Sequence, residues 1–262
     1  MEIPLAKPVF NEEMRRAAIE VLSSEKKGDS GVTVVIPTLN EEGSIQSVIK
    51  RLRQLGYNDV LIVDGNSNDR TVHVARSLGA NVVFQNGLGK GAALRQAFDH
   101  DALSGNTVVM MDADGSMNPE EIPQFIKTLN HGADIVKGSR FLSNGYSEDM
   151  SLLRRIGNWI LLFLVNLLWS AGYTDLCYGF AVFRSSALVQ LRPTLRSKNF
   201  EIETEVFIKA KKMGLRVAEA PSVELRRRYG KSNLSCFKDG FCILRTIIQE
   251  LLTESAAKEG GR

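Results

Sequence analysis

The sequence predicts an α/β domain with a mostly parallel central sheet and helices on both faces. Three observations carry that expectation. Short apolar or β-branched runs alternate with amphipathic stretches from Val32 to Lys137, the pattern of repeated βα units. Loops rich in Asp, Asn, Gly and Pro follow the runs at Ile36, Val63 and Met111, so three polar loops collect at the carboxyl edge of the sheet, where ligands bind in such folds. The chain has 262 residues, 44% hydrophobic and 24% charged, which suits one large globular domain and excludes a disordered or fibrous chain.

The elements follow in order. Val32-Thr-Val-Val-Ile36 is a buried strand, and Asn40-Glu-Glu-Gly-Ser-Ile45 opens a helix that reaches Leu55. Val60–Val63 is the second strand, followed by the turn-rich Asp64–Asp69 loop. Thr71–Leu78 reads as a helix, Asn81–Phe84 as a strand, and Gly89–Phe98 as a helix with a glycine-rich start. Thr107–Met111 is a strand running into Asp112-Ala-Asp114. Pro119–Leu129 is a helix whose first turn carries Pro and two Glu, as helix starts prefer. Ile135–Lys137 is a further strand. Residues 1–29 read as an N-terminal accessory helix (Asn11–Ser24) and linker, 30–252 as the α/β domain, and 253–262 as a flexible tail. The opening Ile3–Glu12 looks like the start of sugar aminotransferases that use pyridoxal phosphate, a resemblance that ends with the head.

Composition narrows the function. The net charge of +3 is too mild for nucleic acid as the main partner. Three Cys, with no CxxC and no nearby His pair, exclude a disulfide framework or a structural zinc site and suit a reducing, cytoplasmic compartment. Met1–Lys27 carries no signal-peptide core. The run Trp159–Ala171 is shorter than the roughly 20 residues of a spanning helix and is interrupted by Asn166. It reads either as a buried core helix or as an interfacial one, with Arg154 and Arg155 before it and Trp159 and Trp169 near its ends.

Four pieces carry chemistry. Asp112-Ala-Asp114 follows a buried strand, so both carboxylates emerge at the ligand edge. Adjacent carboxylates repel unless a cation joins them, and Mg²⁺ or Mn²⁺ suits such oxygen ligands; the alternative is a solvated turn. Ile36-Pro-Thr-Leu-Asn-Glu-Glu42 joins a strand end to a polar helix start, which either caps the helix or offers free N–H groups to a nucleotide. Asp64 is either an Asx-turn residue or an acceptor for a base edge. Gly87-Leu-Gly-Lys-Gly91 lacks the spacing of a P-loop or dinucleotide fingerprint, yet Lys90 can reach a diphosphate.

In this order the four pieces resemble the family 2 glycosyltransferases of GT-A fold. The resemblance extends over Val32–Leu252 and is closest to the polyprenyl-phosphate and dolichyl-phosphate hexosyltransferases. Val136-Lys-Gly-Ser-Arg-Phe141, Asp175-Leu-Cys-Tyr-Gly-Phe-Ala-Val-Phe-Arg184 and Arg227-Arg-Tyr-Gly-Lys-Ser232 are similar to later motifs of that group. It implies a GT-A nucleotide-diphospho-sugar transferase fold and a nucleotide-sugar site at Pro37, Thr38, Asn40, Glu41, Asp64, Lys90, Asp112, Ala113 and Arg227. It implies a metal, Mg²⁺ or Mn²⁺, on Asp112 and Asp114, and an acceptor phosphate on Arg140 and Arg154. Asp114 and Arg140 are the implied catalytic pair. The implied reaction is inverting transfer of a hexose, from GDP-mannose or UDP-glucose, to a lipid-linked phosphate by an enzyme peripheral to the cytoplasmic membrane face. The chain departs from the motifs at Ser116, where Gln is usual, and at Tyr178, where Ser is usual. Two alternatives stand beside it: a soluble transferase acting on a hydroxyl with Glu203 as base, and a silent nucleotide-sugar-binding subunit. Glu201, Glu203 and Glu205 otherwise read as charge at a helix N-terminus.

Overall fold

The fold is described from a computed structural model, which covers residues 31–100, 103, 105–227, 229–230 and 235–259. The expected head, 1–29, lies outside the described residues. The sheet has seven strands among them, in the order β3-β2-β1-β4-β7-β5-β8. They are β1 (Val32–Thr38), β2 (Val60–Asp64), β3 (Asn81–Phe84), β4 (Thr107–Met110), β5 (Ile135–Ser139), β7 (Ala181–Arg184) and β8 (Val217–Pro221). A second, two-stranded sheet pairs β6 (Tyr146–Ser147) with β9 (Val223–Glu224) in parallel. Every neighbour in the large sheet is parallel except β7, which runs antiparallel between β4 and β5. The expected mostly parallel sheet is therefore present, with one reversed strand inserted.

Period-two alternation on β1 explains the two cores. Val35 faces one apolar cluster while Val34 and Ile36 face the other. Helices α1 (Ile45–Gln54), α2 (Thr71–Ser77) and α4 (Ile122–Asn130) cover the second face, through residues such as Ile49, Leu52, Ala75 and Phe125. Helices α3 (Lys90–Phe98), α6 (Ser185–Leu191) and α7 (Ile202–Lys212) cover the first, with parts of α5 (Leu152–Trp169) and α8 (Cys236–Glu259). The expected flexible tail from 253 shares its backbone with α8 as far as Glu259.

Local chemistry sets the boundaries. The Asn118 side chain accepts from the Glu120 N–H and starts a 3₁₀ turn that leads into α4. The C-terminal end of α4 is closed by Arg184, which donates to the carbonyls of Leu129 and Ala133 at 2.8 and 2.9 Å. Ser151 caps α5, so that helix begins seven residues before Trp159, and Ser170 in the left-handed region ends it.

Helix α5 is mostly exposed, which the buried-core reading of the apolar run did not expect. Only 17% of it is buried, although its length and hydropathy match a membrane span. Trp159, Phe163 and Leu167 are 65%, 55% and 66% exposed. Its inner side carries Leu161 and Val165 with two asparagines. Asn158 accepts from the N–H groups of Leu176 and Cys177, and Asn166 bonds both backbone groups of Tyr173. The interrupting Asn166 is thus a tie to the 173–178 segment. Beside α5, Phe237 and Phe241 of α8 are also exposed, so the two packed helices present one apolar face.

The start of α3 fits closely against the 197–199 segment. A Cβ on Gly91 would stand 2.6 Å from the Ser197 carbonyl oxygen, a backbone atom that cannot swing aside. Gly91→Ala is expected to lower stability by about 1–3 kcal/mol, as overpacking does. The measurement is a urea midpoint that falls with an unchanged slope.

Candidate active site

The carboxyl ends of β1, β2 and β4 open on a cavity of about 610 Å³. Its walls include Pro37, Thr38, Glu41, Lys90, Asp112, Ala113, Asp114, Arg140, Arg154 and Arg227 from the sequence expectations, and Glu203 from the alternative one. Asn40 and Asp64 are absent from that lining. Both lock the neighbouring loops instead. Asp64 is fully buried and accepts from the Thr38 hydroxyl (2.9 Å), the Ser67 hydroxyl (2.7 Å) and the Ser67 N–H (2.8 Å). The Asn40 side chain accepts from the Asn68 N–H at 2.8 Å. The Asx-turn reading of Asp64 therefore describes what its oxygens do.

The Asp112-Ala-Asp114 pair is neutralised from both sides. Lys90 reaches Asp112 at 2.5 Å and Glu203 at 2.7 Å. Gly179 makes room for this bridge, because a Cβ there would lie 2.5 Å from the Glu203 carboxylate and 3.0 Å from the Lys90 nitrogen. Burial alone would lower the Lys90 pKa, but the charges of Asp112 and Glu203 outweigh it and hold the ammonium above its ordinary range. Burial pushes the Glu203 carboxyl up, and Lys90 pulls it back. Asp114 takes Arg227 at 2.6 Å on one oxygen. Its other oxygen accepts the Ser116 N–H and hydroxyl at 2.9 and 2.7 Å. Ser116, one of the departures, thus fixes the rotamer of Asp114. Arg227 also reaches Glu41 at 3.4 Å, and burial leaves the Glu41 carboxyl raised despite Ser44 and Arg227.

Arg140 arrives as a fixed fork. Its Nε and Nη2 donate to the two oxygens of Asp175 at 2.7 and 3.0 Å, Nη1 donates to Glu224 at 3.1 Å, and Nη2 also donates to the Cys177 carbonyl at 2.9 Å. The Tyr178 ring supports the guanidinium, 4.7 Å from its centroid. Tyr178, the second departure, is the seat on which Arg140 rests. Burial opposes the charge on Arg140, and Asp175 outweighs burial, so its pKa stands above the usual value.

Among the described residues no third acidic, histidine or cysteine group joins the Asp pair. Two carboxylates at the mouth of a cavity suit a hard divalent cation that takes its remaining oxygens from phosphate and water. Of the neighbouring glutamates, Glu201 accepts from the Lys198 and Asn199 N–H groups, and Glu205 holds the N–H groups of Arg196 and Ser197. Those two start helix α7; only Glu203 faces the cavity. The sequence reading missed Gln85, Phe200 and Glu224 in the walls. Gln85 directly follows β3 as Asp64 ends β2, so the strand-end rule contained the signal for it.

The family model for glycosyl transferase family 2 matches residues 33–192 of this chain. The chain is a family 2 glycosyltransferase. The enzyme is 32% identical over 225 residues to a dolichyl-phosphate hexose transferase of Haloferax volcanii, covering 85% of this chain and 95% of that protein. It is 28% identical over 243 residues to the UDP-N-acetylglucosamine–dolichyl-phosphate N-acetylglucosaminyltransferase of Methanococcus voltae, covering 84% and 96%. The glucosyl-3-phosphoglycerate synthase of Mycobacterium tuberculosis, solved with Mn²⁺, uridine diphosphate and glucosyl-3-phosphoglycerate, superposes with a TM-score of 0.68 at 21% identity, over 89% of this chain and 84% of that one. The glycosyltransferase thus has the GT-A fold, as its motifs suggested.

The Arg140–Asp175 fork sets a stability prediction. Asp175 is fully buried, and removing its partner leaves an uncompensated charge. Arg140→Ala should cost about 3–5 kcal/mol at neutral pH. In the wild type Asp175 is held below the usual carboxylate range by Arg140 against the effect of burial, so its contribution is present above the unfolded value and fades as pH falls through the folded one. In the variant burial raises Asp175, so the variant should regain stability relative to wild type as pH falls. Melting temperatures of both proteins from pH 8 to pH 4 test this; parallel curves would contradict it.

Proposed function

We propose that this glycosyltransferase moves a hexose from a nucleoside diphosphate sugar to a polyprenyl or dolichyl phosphate. It does so with inversion, using Mg²⁺ or Mn²⁺, peripherally at the cytoplasmic face of a membrane. The observation that carries this reading is the continuity of one cavity. Its lining joins the charged Asp112, Asp114, Lys90, Arg227, Arg140 and Arg154 to the apolar Leu153, Ile156 and Ile160 of α5 and Phe237 and Ile243 of α8. A charged head and an apolar tail fit such a lining. The names of the archaeal relatives support the same acceptor class.

Each residue has a task in this reading. Pro37, Thr38, Glu41 and Ala113 bound the donor end, with Asn40 and Asp64 fixing its loops. Asp112 and Asp114 would hold the cation, which when bound stabilises charge on the leaving diphosphate. Lys90 and Arg227 face the same charge from the protein side. Arg140 and Arg154 orient the acceptor phosphate. One of its oxygens bonds to the anomeric carbon as the carbon–oxygen bond to the diphosphate breaks, and the in-line path inverts the centre. A phosphate is ionised near neutral pH and needs no strong base. That agrees with Glu203, whose carboxylate Lys90 already engages at 2.7 Å.

Four measurements test the reading. Asp114→Asn should abolish turnover with a short polyprenyl phosphate while leaving the melting temperature within a few degrees. Mn²⁺ should raise the melting temperature further when GDP or UDP is present, by mass action. Full activity in EDTA would sink the metal-dependent mechanism. For the membrane, the exposed face of α5 and α8 should give reversible co-sedimentation with anionic vesicles, weakened by salt because the flanking arginines contribute about 1 kcal/mol each. Protein that stays in the supernatant at low salt would contradict peripheral attachment.

A further inference from the structure

The segment running from the end of β8 through β9 to Arg227 serves the cavity twice. Glu224 meets Arg140 at 3.1 Å, and Arg227 meets Asp114 at 2.6 Å. Between them the Leu225 N–H donates to the Ser116 carbonyl at 2.8 Å, so the segment lies across the Asp112–Asp114 turn. Its start is tied down by Glu121, at the end of the 3₁₀ turn before α4. One Glu121 oxygen accepts the Val223 N–H at 2.9 Å, and the other accepts the Ser222 hydroxyl. Ser222 also lies 3.1 Å from the Tyr178 hydroxyl, whose ring carries Arg140.

Glu121 is only 5% exposed and has no ion-pair partner among the described residues. The charged and titratable groups around it are Tyr178 beneath Arg140, Tyr146 of β6, Glu224, which is paired with Arg140, and Glu120, which is paired with Arg51. Burial pushes its carboxyl up to about 7, against the bonds from Ser222 and Val223. The sequence places it only in the Asn118-Pro-Glu-Glu121 run that follows the Asp pair, as an early glutamate of a helix start.

We propose that Glu121 is a positioning residue for the transfer: as a carboxylate it pins the 222–227 segment, and with it the Glu224–Arg140 and Arg227–Asp114 contacts, and on taking up a proton it exchanges its charge-assisted bonds for weaker neutral ones and slackens that segment. The ionised group presents two charged acceptor oxygens to two donors. The protonated group donates its own O–H to the Ser222 oxygen, the Ser222 hydroxyl turns to Tyr178, and the bonds that remain join neutral groups. The effect on stability runs the other way. A carboxyl raised in the fold binds its proton more tightly than in the unfolded chain, so stability falls as pH rises from the unfolded value toward the folded one. The better-pinned state is the less stable one.

Amide hydrogen exchange on the full chain tests the pinning without any substrate. After correction for intrinsic rates, the 222–227 amides of the wild type should exchange about fivefold faster at pH 6 than at pH 8, the ratio expected when a bond to a charged acceptor becomes a neutral one. Glu121→Gln, which keeps an acceptor for Val223 but cannot accept from Ser222 with its nitrogen, should show no such difference. An equal pH dependence in both proteins overturns the proposal. Ser222→Ala keeps the carboxylate and removes a bond that lowers its pKa, so the transition should move to higher pH; an unmoved transition also overturns it. The kinetic arm rests on the proposed function. The ratio of wild-type to Glu121→Gln kcat/KM for a polyprenyl phosphate should climb through neutral pH, with the acceptor's own titration cancelling. A flat ratio makes Glu121 structural only and overturns its positioning role. Absence of turnover in both proteins would count against the acceptor, while the exchange comparison would still decide for or against Glu121.

Discussion

Two carboxylates stand two residues apart at the end of a buried strand, and the rest of the site is arranged around cancelling them. Coulomb repulsion between such groups is severe in a poorly solvated place. The chain brings a cation to each from a different direction. Lys90 comes from the glycine-rich start of α3 and Arg227 from the segment beyond β9. Each cation is shared with a further acid, Glu203 for Lys90 and Glu41 for Arg227. The site is thus two short runs of alternating charge, Glu203–Lys90–Asp112 and Glu41–Arg227–Asp114, that meet at the Asp pair, so moving one member disturbs its neighbours.

A second set of buried charges links the apolar helices to this site. The 173–178 segment leaves α5 and passes under Arg140 on its way to β7. Glu219 of β8 accepts from the Thr174 backbone and hydroxyl, and it pairs with Lys137 at 3.1 Å. Lys137 is fully buried, with its ammonium 4.9 Å from the centroid of the Phe207 ring. Buried pairs of this kind add little net stability over apolar packing, yet breaking one is costly, so they fix one arrangement of the backbone. Here that arrangement sets Asp175, and Asp175 sets Arg140. Asn158 and Asn166 tie the same segment to α5, so the exposed apolar helix and the proposed acceptor arginine share one rigid connection.

Much of this was legible from residues alone. The first five long strands and their helices followed from periodicity, because apolar runs of four or five residues between turn formers admit few other structures. Asp112, Asp114, Lys90 and Arg227 were legible because each stands at a strand end or in an unusually dense motif. The direction of β7 was not, since a four-residue apolar run carries no sign of whether its neighbours run parallel or antiparallel. Asn40 and Asp64 pointed to the nucleotide by position, but their side chains satisfy loop N–H groups first, a competition that local sequence does not decide. Glu224 escaped notice because its partner lies 84 residues away in the chain, and Glu121 read only as helix-start charge because the hydroxyl it holds lies 101 residues away. Ser116 and Tyr178 looked like departures from a motif and proved to be supports for Asp114 and Arg140.

The reversed strand has a consequence for how the chain assembles. Strand β5 pairs only with β7 and β8, both of which lie downstream of it. As the polypeptide emerges from the ribosome at about 5–20 residues per second, β1 to β4 can already join while β5 waits for its first neighbour. The outer edge of β4 waits for the same strand, some seventy residues later. During that interval two apolar edges are open to pairing with other chains. Closing them requires contacts of long sequence separation, the kind that slows folding. Ala181–Arg184, four residues long, is thus the keystone that closes the two edges facing it, and β8 then covers the remaining side of β5.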